Sequence, residues 1–336
     1  MAVTLHDVAR ASGVSIKTVS NVINDYPHIR PATRERVEAA IAELGYSPNL
    51  SARSLRRGRT GVIGLALPEL SLAYFAELAD SVMRAADRRG LTVLIEQTGG
   101  DPARERSVLS SPRRQLTDGL LFSPLGIDMS DEPALAVDYP LVLLGERIFT
   151  ERVDHVTMQN VEAARAATAH LLESGRRRIV ALGAHADEEV GSAVLRTRGY
   201  REALEAAGVP YDEDLIGYSG PWHRLNGAVA MRGIIESGVD FDAVFAFNDT
   251  LALGAVRTLQ DAGRHVPDDV AVIGFDDIDE SRYSVPSLSS IDPGREEIAQ
   301  TAVDVLKARI DGTDTDAHRL RTAAFSVVPR ESSAPA

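Results

Sequence analysis

Two groups of residues in this chain have the types and spacing for recognition chemistry. The first lies near the N-terminus in VSIKTVSNVIN, where Lys17, Ser20, Asn21 and Asn24 share one side of a 3.6-residue period. Ammonium, hydroxyl and amide groups set in a row can hydrogen-bond base edges in a DNA groove. The same row is also what the solvated side of any two-helix bundle presents. The second group is scattered along the chain. Glu146, Trp222, Asn248–Asp249 and Asp276–Asp277 each follow a short apolar run, as do Gln97–Thr98, Ser123 and the segment LPELSLAYF with Tyr74 and Phe75. Arg196 stands near a helix start in SAVLRTRGY. Aromatic faces mixed with carboxylate, amide and guanidinium groups suit a small polyhydroxylated molecule. The rings cover C–H faces and the charged groups make paired hydrogen bonds to hydroxyls. Singly, each residue has a plainer reading: Trp222 as packing, Asp276 as a helix cap. Their common position after apolar runs is what points to a ligand.

The elements that must carry these residues can be read from periodicity. Ile16, Val19, Val22 and Ile23 form the apolar side opposite the polar row, and Ser15 is a suitable N-cap. Thr4 can cap a preceding helix from Leu5 to about Ala11. Gly13 supplies the corner, and Val14 fills the angle between the two helices. This is the pattern of a helix-turn-helix. A third helix follows in RPATRERVEAAIAELGY, with Val37, Ile41 and Leu44 at helical spacing and Gly45 as its stop. Next, SPNLSARSLRRGRT could form a short helix over about Leu50–Arg57, too short and polar to be stable alone.

After Thr60 the texture changes. GVIGLALP, LTVLIEQT, DGLLFSP and PLVLLGE are short, nearly continuous apolar runs, and RRRIVALG, DLIGYSG, DAVFAFND and VAVIGFDD repeat the pattern. Such runs are expected of strands buried on both faces of a parallel sheet, with amphipathic helices between them. The fold expected is a small all-α helix-turn-helix head on an α/β core of two doubly wound lobes. In open α/β sheets ligands lie beyond the carboxyl ends of strands, which is where the second group of residues falls. A late helix in SLSSIDPGREEIAQTAVDVLKARI and a last strand in AAFSVVPR complete the core.

Composition narrows the classes. The chain has 336 residues, enough for two or three domains, and at 44% hydrophobic it can build a sizeable core. Cysteine is absent, which excludes disulfides and thiolate metal sites. The net charge of −13 is divided unevenly: residues 1–60 hold nine Lys/Arg against five Asp/Glu, a balance of +4, leaving −17 for the rest. A basic head on an acidic body is an electrostatic footprint for nucleic acid. No apolar run would span a membrane, and MAVTLHDVAR lacks the apolar core of a signal peptide, so a cytoplasmic location and no membrane partner are expected. There is no G-x-G-x-x-G after a strand, no P-loop, no G-x-S-x-G and no H-E-x-x-H, and the eight histidines do not cluster at ligand spacing. No cofactor, metal or catalytic residue is expected. GRRR at 175–178 could bind a phosphate, but reads better as the solvated entry to a strand.

The whole chain resembles the lac-repressor-like family of bacterial transcription regulators. The resemblance rests on TLHDVARASGVSIKTVSNVIN and TRERVEAAIAELGYSPNLSARSLR, then GVIGLALPE, FNDTLALGA and VIGFDD, in that order. It implies a DNA-binding head, a hinge helix, and a core like a periplasmic sugar-binding protein whose lobes exchange three crossovers. It also implies a homodimer, or in some members a tetramer, on operator DNA. Carried over residue by residue, Ile16, Lys17 and Asn21 would read bases, with Asn21 standing where the family more often has arginine. Ser15, Thr18 and Asn24 would contact phosphates. Asn49, Ala52, Arg53 and Leu55 would belong to the hinge, with Leu55 wedged into the minor groove. In the core the resemblance implies Tyr74, Phe75, Glu146, Arg196, Trp222, Asn248 and Asp276 as effector contacts. Here the family's frequent S-N-P-F-F reads SLAYF, so Leu72 replaces a polar contact, and Glu146 stands for the usual aspartate.

The expected division is a head at 1–47, a hinge at 48–59 and a core at 60–336. Within the core, one lobe would take about 60–160 and 292–322, the other about 161–291 and 323–336. The function expected is a ligand-responsive transcriptional repressor with a sugar or sugar derivative as effector. The alternative is a solute-binding protein of a sugar transport system, and a third reading is a sugar-modifying enzyme using Asp276 or Glu146.

Overall fold

The computed structural model describes residues 3–23, 26–46, 59–186 and 188–333. The chain divides into two units, Met1–Thr60 and Gly61–Ala336.

The first unit contains helices α1 (Leu5–Ser12), α2 (Ile16–Ile23) and α3 (Pro31–Leu44). Thr4 opens α1 with a capping box: its hydroxyl accepts from the Asp7 N–H at 3.4 Å, and Asp7 Oδ2 accepts from the Thr4 N–H at 3.0 Å. Gly13 ends α1 at φ 64°, a left-handed conformation that a β-carbon disfavours. Ser15 Oγ accepts from the Thr18 N–H at 3.1 Å and so caps α2. Val8, Ala9, Val19, Val22, Val37 and Ala40 form the buried centre, with Val14 and Ile16 packed against it.

The second unit begins with β1 (Val62–Leu67), α4 (Ala73–Arg88), β2 (Thr92–Gln97) and α5 (Pro102–Ser110). Then follow β3 (Leu120–Phe122), β4 (Leu141–Leu144), β5 (Asp154–Thr157) and α6 (Asn160–Glu173). The middle holds β6 (Ile179–Ala184), α7 (Ser192–Ala206), β7 (Ile216–Tyr218), α8 (Arg224–Ser237), β8 (Ala243–Ala246) and α9 (Asp249–Asp261). It closes with β9 (Ala271–Ile273), α10 (Asp279–Tyr283), β10 (Ser290–Asp292), α11 (Arg295–Asp311), β11 (Leu320–Thr322) and β12 (Ser326–Val328).

One sheet has the order β11-β5-β4-β3-β1-β2, a second β7-β6-β8-β9, and β10 pairs antiparallel with β12. Both larger sheets are parallel and share one logic: the first strand of each half lies between its second and third. That reversal of strand order is a topological switch point, where ligands bind beyond the carboxyl ends. The two halves are therefore two copies of one winding.

The chain passes between the halves three times, at 158–159, 293–294 and 323–325, and the crossings touch. Gln159 Nε2 donates to the Ala323 carbonyl at 2.9 Å. Gly294, at φ 78°, lies so close to Ala324 that a β-carbon there would stand 2.3 Å from its carbonyl oxygen. Across the first sheet, α4 and α11 are stapled by Arg89 to Asp304 at 2.6 Å and by Ser81 to Glu296 at 2.8 Å.

Two departures from the sequence reading have simple causes. LTVLIEQT is not buried on both faces: β2 is an edge strand with alternating exposure. GRRR is the solvated entry to β6 that was expected, and it braces the fold as well, since Arg176 donates to the Pro267 carbonyl at 2.7 Å and Arg177 to the Leu172 carbonyl at 2.7 Å. Strands β5, β10 and β11 were not anticipated, because DHVT, SID and LRT are short and polar. What allows β5 inside a sheet is ion pairing. The fully buried Asp154 carboxylate accepts from Arg309 at 2.7 Å, His318 at 2.9 Å and Arg321 at 2.7 Å.

Candidate functional site

The carboxyl ends of both parallel sheets open on one cavity of about 350 Å³. All seven core residues expected from the sequence line it. Tyr74 and Phe75 come from the first turn of α4, Glu146 follows β4, Arg196 projects from α7, Trp222 precedes α8, Asn248 follows β8 and Asp276 follows β9. Ser123 and Leu72 also reach it, whereas Gln97, Thr98, Asp249 and Asp277 are not among its lining.

Arg196 is the most buried of the charged lining at 2% exposure. Its guanidinium lies 3.5 Å from the Phe275 ring centroid and 5.2 Å from that of Trp222. Nε donates to Asn160 Oδ1 at 2.8 Å, one terminal nitrogen donates to the Phe247 carbonyl, and the other reaches the Met158 thioether at 3.3 Å. Burial pulls its basicity down, against the opposing pull of Asp276 and Glu146. Trp222 is fixed by its indole N–H, which donates to the Gly183 carbonyl at 2.9 Å.

Asn248 lines the cavity and also braces its frame. Its Oδ1 caps α9 by accepting from the Leu251 N–H at 2.8 Å, and its Nδ2 donates to Thr250 Oγ1 at 2.7 Å and to the Trp222 carbonyl at 3.2 Å. It borders the cavity while its amide holds the frame. Glu146 is similarly engaged: Oε1 accepts from Thr157 at 2.8 Å and Oε2 from Ser192 at 2.7 Å.

Asp276 has φ 109° and Asp277 φ 45°, both in the left-handed half of the map that non-glycine residues avoid. Such strain persists only where the surroundings over-determine it. Here the Asp276 N–H donates to the Ile291 carbonyl at 2.8 Å, and Arg295 donates to the Asp276 carbonyl at 2.9 Å. Below them, Asp249 accepts from Ser290 at 2.6 Å, Ser281 at 2.7 Å and the Ile278 N–H at 3.0 Å. Gly274 is required at that spot, since a β-carbon would stand 2.1 Å from Asp249 Oδ1. The Asp276 carboxylate itself has no hydrogen-bond partner among the described residues, although it is 5% exposed. Burial pushes its pKa well above the usual carboxylate range, so the neutral form is favoured, with Arg196 opposing. Burial likewise raises Tyr74, helped by Asp276 and Glu146.

Sequence reasoning missed the outer lining. His223 pairs with Glu69 at 2.8 Å and Arg147 with Glu188 at 3.2 Å, each pair joining one half of the core to the other. His185 also bonds Glu188, and that bond raises its basicity. These are loop residues with no periodic signal, brought together only by the approach of the two halves. Among the described residues no group of three His, Asp or Glu could hold a metal, and no helix is long and apolar enough to cross a membrane.

In the first unit, Lys17 is exposed on α2 and Asn21 half-buried, while Ile16 leans on the core of the head. The hydroxyls of Ser15 and Thr18 share a hydrogen bond of 2.9 Å at the start of α2. Asn24, Asn49, Ala52, Arg53 and Leu55 lie outside the described residues.

Comparison with known proteins adds an independent line. Residues 4–49 match the family of bacterial regulatory proteins, lacI family, and residues 168–333 match a periplasmic binding protein-like domain. The chain is 37% identical over 327 residues, 94% of each chain, to the HTH-type transcriptional regulator CelR of Thermobifida fusca. Among solved structures it resembles a transcriptional regulator CelR–cellobiose complex, with 33% identity, TM-score 0.73 and coverage of 98% of this chain and 99% of that one. It also resembles the lac repressor dimer bound to operator and the anti-inducer ONPF, with 27% identity, TM-score 0.83 and 99% of both chains covered.

Proposed function

The chain belongs to the lacI family of bacterial regulatory proteins and is a DNA-binding transcriptional regulator, and from that premise we propose that it is a repressor released or recruited by a sugar. The sugar lies in the cavity between the two halves of the core. The observation that carries this reading is the unpartnered Asp276 carboxylate, held in a strained turn and lining the same cavity as Trp222 and Arg196. A carboxylate so placed accepts from vicinal hydroxyls, and the indole covers the C–H face of a pyranose. The relative crystallised with cellobiose supports the ligand class. Tyr74 and Phe75 add apolar cover, and Asn248 holds Trp222 in position.

In this reading the core binds without catalysis. Glu146 accepts one hydroxyl on each oxygen, from Thr157 and Ser192, which ties it into the wall of the cavity. The head acts on operator DNA inside the cell through α2. Ile16, Lys17 and Asn21 face the bases, while Ser15, Thr18, Asn24 and the hinge residues Asn49, Ala52, Arg53 and Leu55 position the protein on the duplex. A homodimer on a pseudo-palindromic site follows, because one short helix contacts too few bases for high specificity.

A ligand shifts the operator equilibrium only by binding one core state better than the other, and contacts to both halves supply that difference. The chain has a single tryptophan, Trp222, so intrinsic fluorescence reports the cavity directly. The test titrates a sugar panel by that fluorescence and measures operator affinity with and without each binder. Asp276→Ala is expected to bind operator while losing the sugar effect, a coupling of about 1–3 kcal/mol in the parent protein. If Asp276→Ala binds sugar normally, or loses operator while still folded, the assignment of the site is wrong.

A further inference from the structure

The cavity is unbalanced in charge. Every basic group that borders or braces it already has an acceptor. Arg147 is paired with Glu188 and also donates to the Val190 carbonyl. Arg295 pairs with Glu77 at 2.6 Å and donates to the backbone of Asp276. His223 is matched by Glu69 and His185 by Glu188. Arg196 has given three of its donors to Asn160, Phe247 and Met158. The Asp276 carboxylate is left over, and Glu146 adds a second anionic group to the same wall.

We infer that this cavity selects uncharged polyhydroxylated ligands and rejects sugars carrying a phosphate or carboxylate. The inference rests on the sugar reading of the site proposed above. Neutral hydroxyls answer both remaining needs: they donate to Asp276 and accept from the last N–H groups of Arg196. A phosphate brings roughly 1.5 to 2 negative charges at neutral pH and is chiefly an acceptor. It would stand against Asp276 and Glu146 in a water-poor cavity, where like charges repel far more strongly than in bulk water.

The groups facing Asp276 are Arg196 from α7, Arg295 from α11, Asp249 from α9, Glu146 beyond β4 and Tyr74 from α4. Two guanidiniums meet three carboxylates there, and an added anion further favours the protonated form of Asp276 that burial already favours. An anionic sugar binds best with Asp276 protonated, so its affinity falls as pH rises through the titration of that group. Affinity for a neutral sugar, which donates to the ionised carboxylate, does not fall in this way.

The experiment uses the full-length protein and the Trp222 signal. Neutral mono- and disaccharides are titrated alongside the matching sugar phosphates and uronic acids at pH 6 and pH 8. The uronic acid of a binding sugar is expected to be weaker by about 100-fold at pH 8, the size of a like-charge contact of several kcal/mol. At pH 6 the gap narrows. Asp276→Asn keeps the shape of the side chain and should cut the discrimination to a few-fold, whatever it does to neutral-sugar affinity. Equal affinity for the neutral and anionic members of a pair would overturn the inference while leaving the sugar reading intact, and so would discrimination unchanged in Asp276→Asn. Failure of every sugar, charged and neutral alike, would overturn the sugar reading and the inference with it.

Discussion

Ser192 donates its hydroxyl to Glu146 across the core, Oγ to Oε2 at 2.7 Å, joining the start of α7 to the loop after β4. The other carboxylate oxygen is held within its own half by Thr157 at 2.8 Å. The Ser192–Glu146 bond joins the two halves beside the His223–Glu69 and Arg147–Glu188 pairs. A bond of this kind contributes about 1 kcal/mol net. Ser192→Ala should weaken sugar binding roughly five-fold on that basis, with little change in operator affinity measured without sugar. Fluorescence titration of Trp222 checks this, and an unchanged affinity would show that the bond plays no part in sugar binding.

The head offers a test of base reading. Lys17 is exposed on α2 and Asn21 is half-buried beside it. Lys17→Ala and Asn21→Ala should each cost about 1–3 kcal/mol at particular half-site positions and relax selection there. Selection from a randomised duplex library reads this out. A loss spread evenly over all sequences would assign the residue to phosphate instead.

Asp154 gives a stability prediction. Burial alone would raise its carboxyl, but hydrogen bonds from Arg309, His318 and Arg321 outweigh it and hold the group far below the usual carboxylate range. Its native acidity is thus stronger than in the unfolded chain. The stabilisation is complete above about pH 4, the ordinary carboxylate value, and is lost as pH falls below that. Asp154→Asn strips charge from a buried cluster and should destabilise the core by about 3–5 kcal/mol. Urea denaturation at pH 7 and pH 3.5 measures both effects, and the cost should shrink at the lower pH.

Asp249 behaves oppositely. Burial lifts its carboxyl to about 7 despite donors from Ser290, Ser281 and Ile278. The native state then holds a proton that the unfolded chain has already released. Its contribution to stability is greatest near pH 4 and declines as pH rises toward 7. Asp249→Asn should remove that decline, so the parent and variant melting curves differ most in slope between pH 4 and 7. Because Asp249 braces the strained turn of Asp276, the variant should also bind sugar more weakly.

How much of this could be read from the sequence depends on what kind of signal each residue leaves. The helices of the head were legible because capping and 3.6-residue periodicity are local, as Thr4, Gly13 and Ser15 show. The inner wall of the cavity was legible because parallel strands leave continuous apolar runs, and a run marks its own carboxyl end. Strand β5 left no such mark, since its Asp154 is tolerated only through Arg309, His318 and Arg321, more than a hundred residues away. Glu69, Arg147, Glu188 and His223 were invisible for the same reason: each meets its partner only when distant loops converge. Asn248 was found in the right place but its capping task was not read, because a cap and a ligand contact ask for the same side chain.

The three crossings between the halves of the core lie against one another, with Gln159 bonded to Ala323 and Gly294 seated on Ala324. Three covalent threads side by side resist twisting and sliding, and leave one soft rotation about the line they define. The core is in this sense a door on a single axis. Whatever molecule fills the cavity, its grip can be expressed only as an angle about that axis, so chemically different ligands would send the same mechanical message and differ only in how firmly they hold it.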